Sequence, residues 1–182
     1  MPYNSAMTIV GLISDTHGRL HEQAYAALAD CDFIIHAGDI GNPSVLRELQ
    51  TIAPVSAVLG NNDYNEYGKN VSRYARPIVD GVRFLVAHFP HDVRISAFGN
   101  RALSLGDPLP DICIHGHTHL PRLDFGKEAR PASYIINPGS ASYPRGGFPR
   151  SIGKITIINS IVHSIVIEGL DGETIMSIGL EN

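Results

Sequence analysis

Asp15-Thr16-His17 and His117-Thr118-His119 each place two metal-binding side chains two residues apart. In extended backbone such residues point to the same side, so either pair can meet one cation. Gly38-Asp39, Gly60-Asn61-Asn62-Asp63 and His88 add further carboxylate, amide and imidazole donors. Oxygen and nitrogen donors without a thiolate suit hard or borderline divalent cations. Each fragment alone has an ordinary explanation: Asp39 as a cap or turn residue, Asn61 to Asp63 as a polar turn, His88 as a satisfied core histidine. Their shared position is less ordinary. Each piece follows a run of apolar residues, and α/β proteins hold ligands just beyond the carboxyl ends of their strands.

The elements that must position these residues can be read from the runs themselves. Thr8 to Ser14, Phe33 to Ala37 and Val55 to Leu59 read as buried strands. Arg19 to Ala29 and Pro43 to Ile52 lie between them with helical spacing, the second capped by Asn42 with Pro43 at its first position. This βαβαβ alternation argues for a parallel sheet. Arg76 to Ala87 reads as two strands around Asp80-Gly81, Ile95 to Leu105 as a helix, and Asp111 to Ile114 as a strand. After residue 119 come short strands, a hairpin over Lys154 to Glu168 turning near Asn159-Ser160, and a turn at Asp171-Gly172. The expectation is two packed sheets with helices outside.

With 182 residues, 43% apolar and 18% charged, the chain has an ordinary globular balance and can bury a core as one domain, 1–182. No apolar run is long enough to span a membrane, and the N-terminus has no basic region ahead of its first apolar run, so no signal peptide is expected. Cys31 and Cys113 sit in apolar segments and read as buried, reduced thiols. A cytoplasmic protein is therefore expected. The net charge of −4 leaves no basic footprint for a nucleic-acid backbone.

Taken in order, Asp-x-His, Gly-Asp, Gly-Asn-x-Asp, His and Gly-His-x-His resemble the calcineurin-like metallophosphoesterases over residues 15 to 119. The short length and Asn137-Pro138-Gly139-Ser140 look most like the small bacterial and archaeal phosphodiesterase branch. The resemblance implies a four-layer α/β/β/α sandwich with two divalent metal ions between the layers, Mn²⁺ first in expectation and Fe, Ni, Co, Zn or Mg as alternatives. It assigns Asp15, His17, Asp39 and His119 to one metal. It assigns Asp39, Asn61, His88 and His117 to the other, with Asp39 bridging. Two dications and two carboxylates leave a positive centre that attracts a phosphoester anion. A hydroxide shared by the metals would attack phosphorus in line with the departing alkoxide.

Two departures from the family pattern bear on the substrate side. Where many members carry histidine after the metal-binding asparagine, as an acid for the leaving group, this chain has Asn62, which cannot supply that proton. Where the family has glycine after the histidine, it has Phe89-Pro90, which removes a backbone donor and makes the mouth more apolar. Asp63 is expected to hold neighbouring loops or orient a histidine, and His91 is a candidate for the missing acid whose ordinary reading is a surface-loop histidine. Arg19, Arg94 and Arg145 are candidate phosphate contacts, and His36 and His115 are expected to pack rather than bind metal. The expected activity is phosphodiester hydrolysis of a small organic substrate, with homo-oligomers allowed. The alternatives are a protein-binding scaffold of the same fold, as in retromer-type subunits, and a phosphomonoesterase or nuclease.

Overall fold

The computed structural model describes residues 7–64, 67–96 and 99–179. Two sheets face each other. The first contains β1 (Met7–Ile13), β2 (Phe33–His36), β3 (Val55–Ala57) and, later in the chain, the long strands Ser151–Ile158, Ile161–Gly169 and Thr174–Ile178. The second contains β4 (Tyr74–Ala75), β5 (Ile78–Val79), β6 (Val82–Ala87), β7 (Ile112–Ile114), β8 (Arg122–Phe125) and β9 (Tyr134–Asn137). With the three long strands as β10 to β12, the first sheet has the order β12-β11-β10-β1-β2-β3. The second runs β4-β6-β7-β9-β8, with β5 also paired to β6.

Each sheet contains three neighbouring parallel strands, at one end of the first sheet and in the middle of the second. β1 pairs in parallel with β2, and β2 with β3. In the other sheet β6 pairs in parallel with β7, and β7 with β9. Six carboxyl ends therefore open along the same crevice between the sheets, and the expected chemical residues follow directly from five of them.

Two-residue periodicity explains how the sheets pack. Val10 and Leu12 of β1, Ile35 of β2, Phe84 and Val86 of β6, Ile112 and Ile114 of β7, and Ile136 of β9 fill the core between the sheets. Their sequence neighbours Ile13 and Ile34 turn outward, under α1 (Glu22–Ala27) and α2 (Pro43–Leu49), where they meet Ala24, Leu28, Val45 and Leu49. Such alternation is what a pleated strand covered on both faces demands. The α2 start is as expected: Pro43 is its first residue, and Asn42 accepts the Ser44 N–H through its side chain at 2.8 Å. Both expected hairpin turns form with paired left-handed residues, Asp80-Gly81 at φ 43° and 77° and Asn159-Ser160 at φ 51° and 64°. Two-residue hairpin turns favour this conformation because it matches the strand twist.

The outer face of the second sheet corrects one expectation. Ile95 to Leu105 is not a helix among the described residues; Ala97 and Phe98 lie outside them. Gly99 takes φ 96°, isolated bridges join Ser96 to Gly99 and Asn100 to Leu103, and the Asn100 side chain accepts the Ala102 N–H while donating to the Asp92 and Arg94 carbonyls. An asparagine that satisfies the local backbone from its side chain competes with helix formation. Leu85, Ala87, Cys113 and Ile135 are covered there by Val93, Ala129 and Ala132 from loops. Cys31 and Cys113 are free and buried, and burial pushes each thiol up to about 12. No helix among the described residues is long and apolar enough to cross a membrane.

Phe84 is among the largest fully buried side chains and sits between the sheets. Phe84→Ala should lower unfolding free energy by about 3–5 kcal/mol, read from urea denaturation.

Candidate metal centre

The exit loops are held in unusual backbone shapes. Asp15, His17, Asp39, His117 and His119 all have φ between 47° and 69°. Non-glycine residues adopt this left-handed region at a cost, and such residues gather at functional sites. The pairing of β1 with β2 continues past the strand ends: the Asp15 and His17 N–H groups donate to the Gly38 and Asp39 carbonyls at 3.0 and 2.9 Å. The β9 exit loop then braces β1. Ser140 Oγ donates to the Asp15 carbonyl at 2.9 Å and Ser142 Oγ to the Thr16 carbonyl at 2.7 Å. Two glycines allow the loops to close in. A Cβ on Gly60 would lie 2.1 Å from Asp39 Oδ1, and one on Gly116 would lie 2.0 Å from Ser14 Oγ.

These loops bring the seven expected metal donors together. The ligating atoms of Asp15, His17, Asp39 and His119 all lie within 4.8 Å of one another. His17 Nε2 is 3.3 Å from His119 Nε2 and 3.8 Å from Asp39 Oδ2, and His119 Nε2 is 3.2 Å from Asp15 Oδ1. On the adjacent side, His88 Nε2 is 3.5 Å from Asp39 Oδ1 and 3.2 Å from Asn61 Oδ1. His117 Nδ1 is 2.9 Å from the same Asn61 oxygen. Asp39 thus turns one oxygen toward each group.

Backbone carbonyls decide where the ring protons sit. His88 Nδ1–H donates to the Ala37 carbonyl at 2.8 Å, and His119 Nδ1–H to the Tyr143 carbonyl at 2.6 Å. In the neutral rings each Nε2 then presents a lone pair. That of His88 faces Asp39 and Asn61 oxygens, and that of His119 faces Asp15 and His17. Asp15 Oδ1 is buried and, with His119 neutral, has no hydrogen-bond donor in reach, whereas Asp15 Oδ2 accepts from Ser14 Oγ–H at 2.6 Å. Lone pairs converging on a buried, unsatisfied oxygen repel unless a cation lies among them, so the donor set fits divalent metal.

The electrostatics agree. Burial pushes the Asp15 carboxyl up, but His119 beside it, with His88 and Ser14, outweighs burial and holds it below its ordinary value. The Asp15 carboxylate in turn holds His119 above its ordinary value. Burial, followed by His88, pushes His117 down. His36 and His115 are buried outside the donor set, and burial drives each to about 4. His36 accepts the Gly38 N–H through Nδ1 and donates from Nε2 to Thr16 Oγ1, whose hydroxyl passes to the Ile40 carbonyl. His115 packs beside Asn137, whose amide donates to the Gly116 carbonyl and Thr118 Oγ1.

The expected substrate-side residues fare differently. Asn62 binds Asp39 twice, donating its backbone N–H to Oδ1 at 2.9 Å and its amide to Oδ2 at 2.6 Å. Asp63 faces the loops rather than the donors. It accepts from the Ile40, Gly41 and Gly60 N–H groups and the Tyr67 hydroxyl at 2.8–3.0 Å. Burial opposes its charge, but those bonds leave its carboxyl below the ordinary value. His91 is 70% exposed, with Nε2 3.5 Å from Asp92 Oδ1 and its ring against Phe89. Arg145 donates its backbone N–H to the His119 carbonyl, and its charge disfavours protonated His119. Burial first, then Arg150 and Arg19, push His21 down, and Arg19 and Arg94 are both exposed. Sequence reasoning passed over Ser14, Ser142 and Arg73. The carbonyls of Ala37 and Tyr143 carry no sequence signal at all, because every residue has one.

A family model described as the calcineurin-like phosphoesterase superfamily domain matches residues 7–160. A probable metallophosphoesterase of Methanothermobacter thermautotrophicus is 35% identical over 142 residues, covering 75% of this chain and 79% of that protein. Among solved structures, the phosphoesterase YfcE of Escherichia coli superposes with a TM-score of 0.69 at 23% identity, covering 96% of this chain and all of the other. A zinc complex of Vps29 from Entamoeba histolytica gives a TM-score of 0.70 at 20% identity, covering 94% and 98%.

In Asp63→Asn, the amide nitrogen would replace an oxygen that accepts hydrogen bonds. The variant should lose about 2 kcal/mol of stability, measured by urea denaturation, with faster amide exchange at Gly41 and Gly60.

Proposed function

The chain belongs to the calcineurin-like phosphoesterase superfamily, and on that premise we propose that it hydrolyses a small organic phosphodiester with two divalent cations, Mn²⁺ first among them. The observation that carries this reading is the convergence of imidazole nitrogens and carboxylate oxygens around buried Asp15 Oδ1. Asp15, His17, Asp39 and His119 would hold one cation, and Asp39, Asn61, His88 and His117 the other. The orientation of Asp39, with Oδ1 toward His88 and Oδ2 toward His17, supports its shared role. Paired divalent cations supply Lewis acidity and make water a nucleophile near neutral pH.

The chain's own residues have definable tasks. The Ala37 and Tyr143 carbonyls keep the His88 and His119 lone pairs aimed inward. Asn62 steadies Asp39 through both oxygens but has no proton to give an alkoxide. His91 is the remaining candidate acid, at the rim beyond Phe89. A diester suits the site better than a monoester. The additional charge of a monoester calls for basic contacts, and Arg73 near the donors is already paired with Asp92. A complete donor set is more than a protein-binding scaffold would need. Buried, free Cys31 and Cys113 support a cytoplasmic setting.

Purified protein should bind about two Mn²⁺ per chain and hydrolyse bis(p-nitrophenyl) phosphate, with chelation abolishing the activity. Inactivity with Mn²⁺, Fe²⁺, Co²⁺, Ni²⁺, Zn²⁺ and Mg²⁺ alike would overturn the reading. Loss of an outer partner of a metal site costs about 10–100-fold, so Asp39→Asn should cost more than about a hundredfold in kcat and weaken metal binding by calorimetry. Across a series of aryl and alkyl diesters, log kcat should fall steeply as the leaving alcohol becomes more basic. A flat dependence in wild type that steepens in His91→Ala would make His91 the acid.

A further inference from the structure

Beyond His88 and His117 the rim is built from flat side chains. The Phe89 ring lies 4.6 Å from the His117 ring and 5.3 Å from that of His88, centroid to centroid. It also meets the His91 ring at 5.4 Å, tilted by 32°. The Arg73 guanidinium carbon is 6.0 Å from the Phe89 centroid and 5.7 Å from that of Tyr74.

Arg73 reaches this place through strand register. β4 pairs antiparallel with β6, with Tyr74 opposite Ala87, so the next step outward sets Arg73 across from His88. Its head is fixed from behind: Nε and Nη2 both donate to Asp92 Oδ2, at 3.2 and 2.9 Å. The Asp92 side chain is 2% exposed while that of Arg73 is 51% exposed, so the anchor is buried and the guanidinium faces outward. Pro90 follows Phe89 and contributes no N–H. The surface beside the candidate donors thus offers planar π groups and a delocalised cation instead of a row of amide donors.

Such a surface recognises planar partners by stacking and cation–π contact, and is indifferent to their hydrogen-bonding pattern. We propose that Phe89 and Arg73 form a subsite for the ester arm that stays on phosphorus, selecting arms that carry an aryl or heteroaryl ring. The inference rests on the phosphodiesterase reading, since a monoester has no such arm.

The test uses Mn²⁺-loaded protein and methyl, cyclohexylmethyl and benzyl esters of p-nitrophenyl phosphate. All three release the same p-nitrophenolate, and the last two are similar in size but differ in flatness. The benzyl ester should exceed the methyl ester in kcat/KM by about tenfold, with the cyclohexylmethyl ester between them. The advantage should lie mainly in KM. Phe89→Ala and Phe89→Leu should bring the benzyl-to-methyl ratio close to one, Phe89→Tyr should preserve it, and Arg73→Ala should lower it. Equal rates for the three esters in wild type, or an unchanged ratio in Phe89→Ala, would overturn the subsite while leaving the diesterase reading intact. If none of the esters turns over, the diesterase reading fails. Calorimetry then decides the subsite: benzylphosphonate should bind more tightly than methylphosphonate to wild type but not to Phe89→Ala, and equal binding of the two by wild type would overturn it.

Discussion

The arrangement of this molecule turns on one electrostatic constraint: lone pairs that face one another with no proton between them. His88 and His119 donate their Nδ1–H groups to backbone carbonyls, so in the neutral rings their Nε2 atoms can only accept. They point at carboxylate and amide oxygens, which also accept. A proton on His119 is the smallest cation that eases this crowding, and Asp15 does raise the affinity of His119 for one. A proton serves one such contact, whereas the donor set offers two groups that share Asp39. The fit to a metal cation follows from geometry and charge before any particular reaction is considered.

Holding like partners together requires a frame that does not relax. The two sets of parallel strands supply it by opening their carboxyl ends on one crevice, and the core between the sheets fixes their separation. The strand exits then make sharp left-handed turns at five of the donor residues. Strained turns persist only when their surroundings over-determine them. Here the bonds between the β1 and β2 exits, the Ser140 and Ser142 hydroxyls and the Asp63 carboxylate do so. Asp63 thereby joins the Gly60 turn to the loop after Asp39.

Much of this was legible in the residues. The βαβαβ start, both left-handed hairpin turns, the Asn42 cap and the donor fragments are local features, decided by periodicity, turn chemistry and spacing. Over Ile95 to Leu105 apolar spacing suggests a helix, while Gly99 and the Asn100 side chain favour turns. Nothing near Arg73 in sequence marks it, and only the register of β4 against β6 brings it beside Phe89.

The sequence by itself determined the donor types, their order and their positions at strand ends, since these depend on side-chain chemistry and short-range pattern. It also determined what is missing: no thiolate for a soft metal, and no acid at Asn62. Tertiary structure decided which atoms face each other, which ring nitrogen keeps its proton, that Asp39 turns an oxygen to each side, and that a flat rim borders His117. Those properties arise from contacts between distant segments, such as His17 and His119, 102 residues apart, and from backbone carbonyls that are chemically alike at every position. Their roles exist only once the chain has folded.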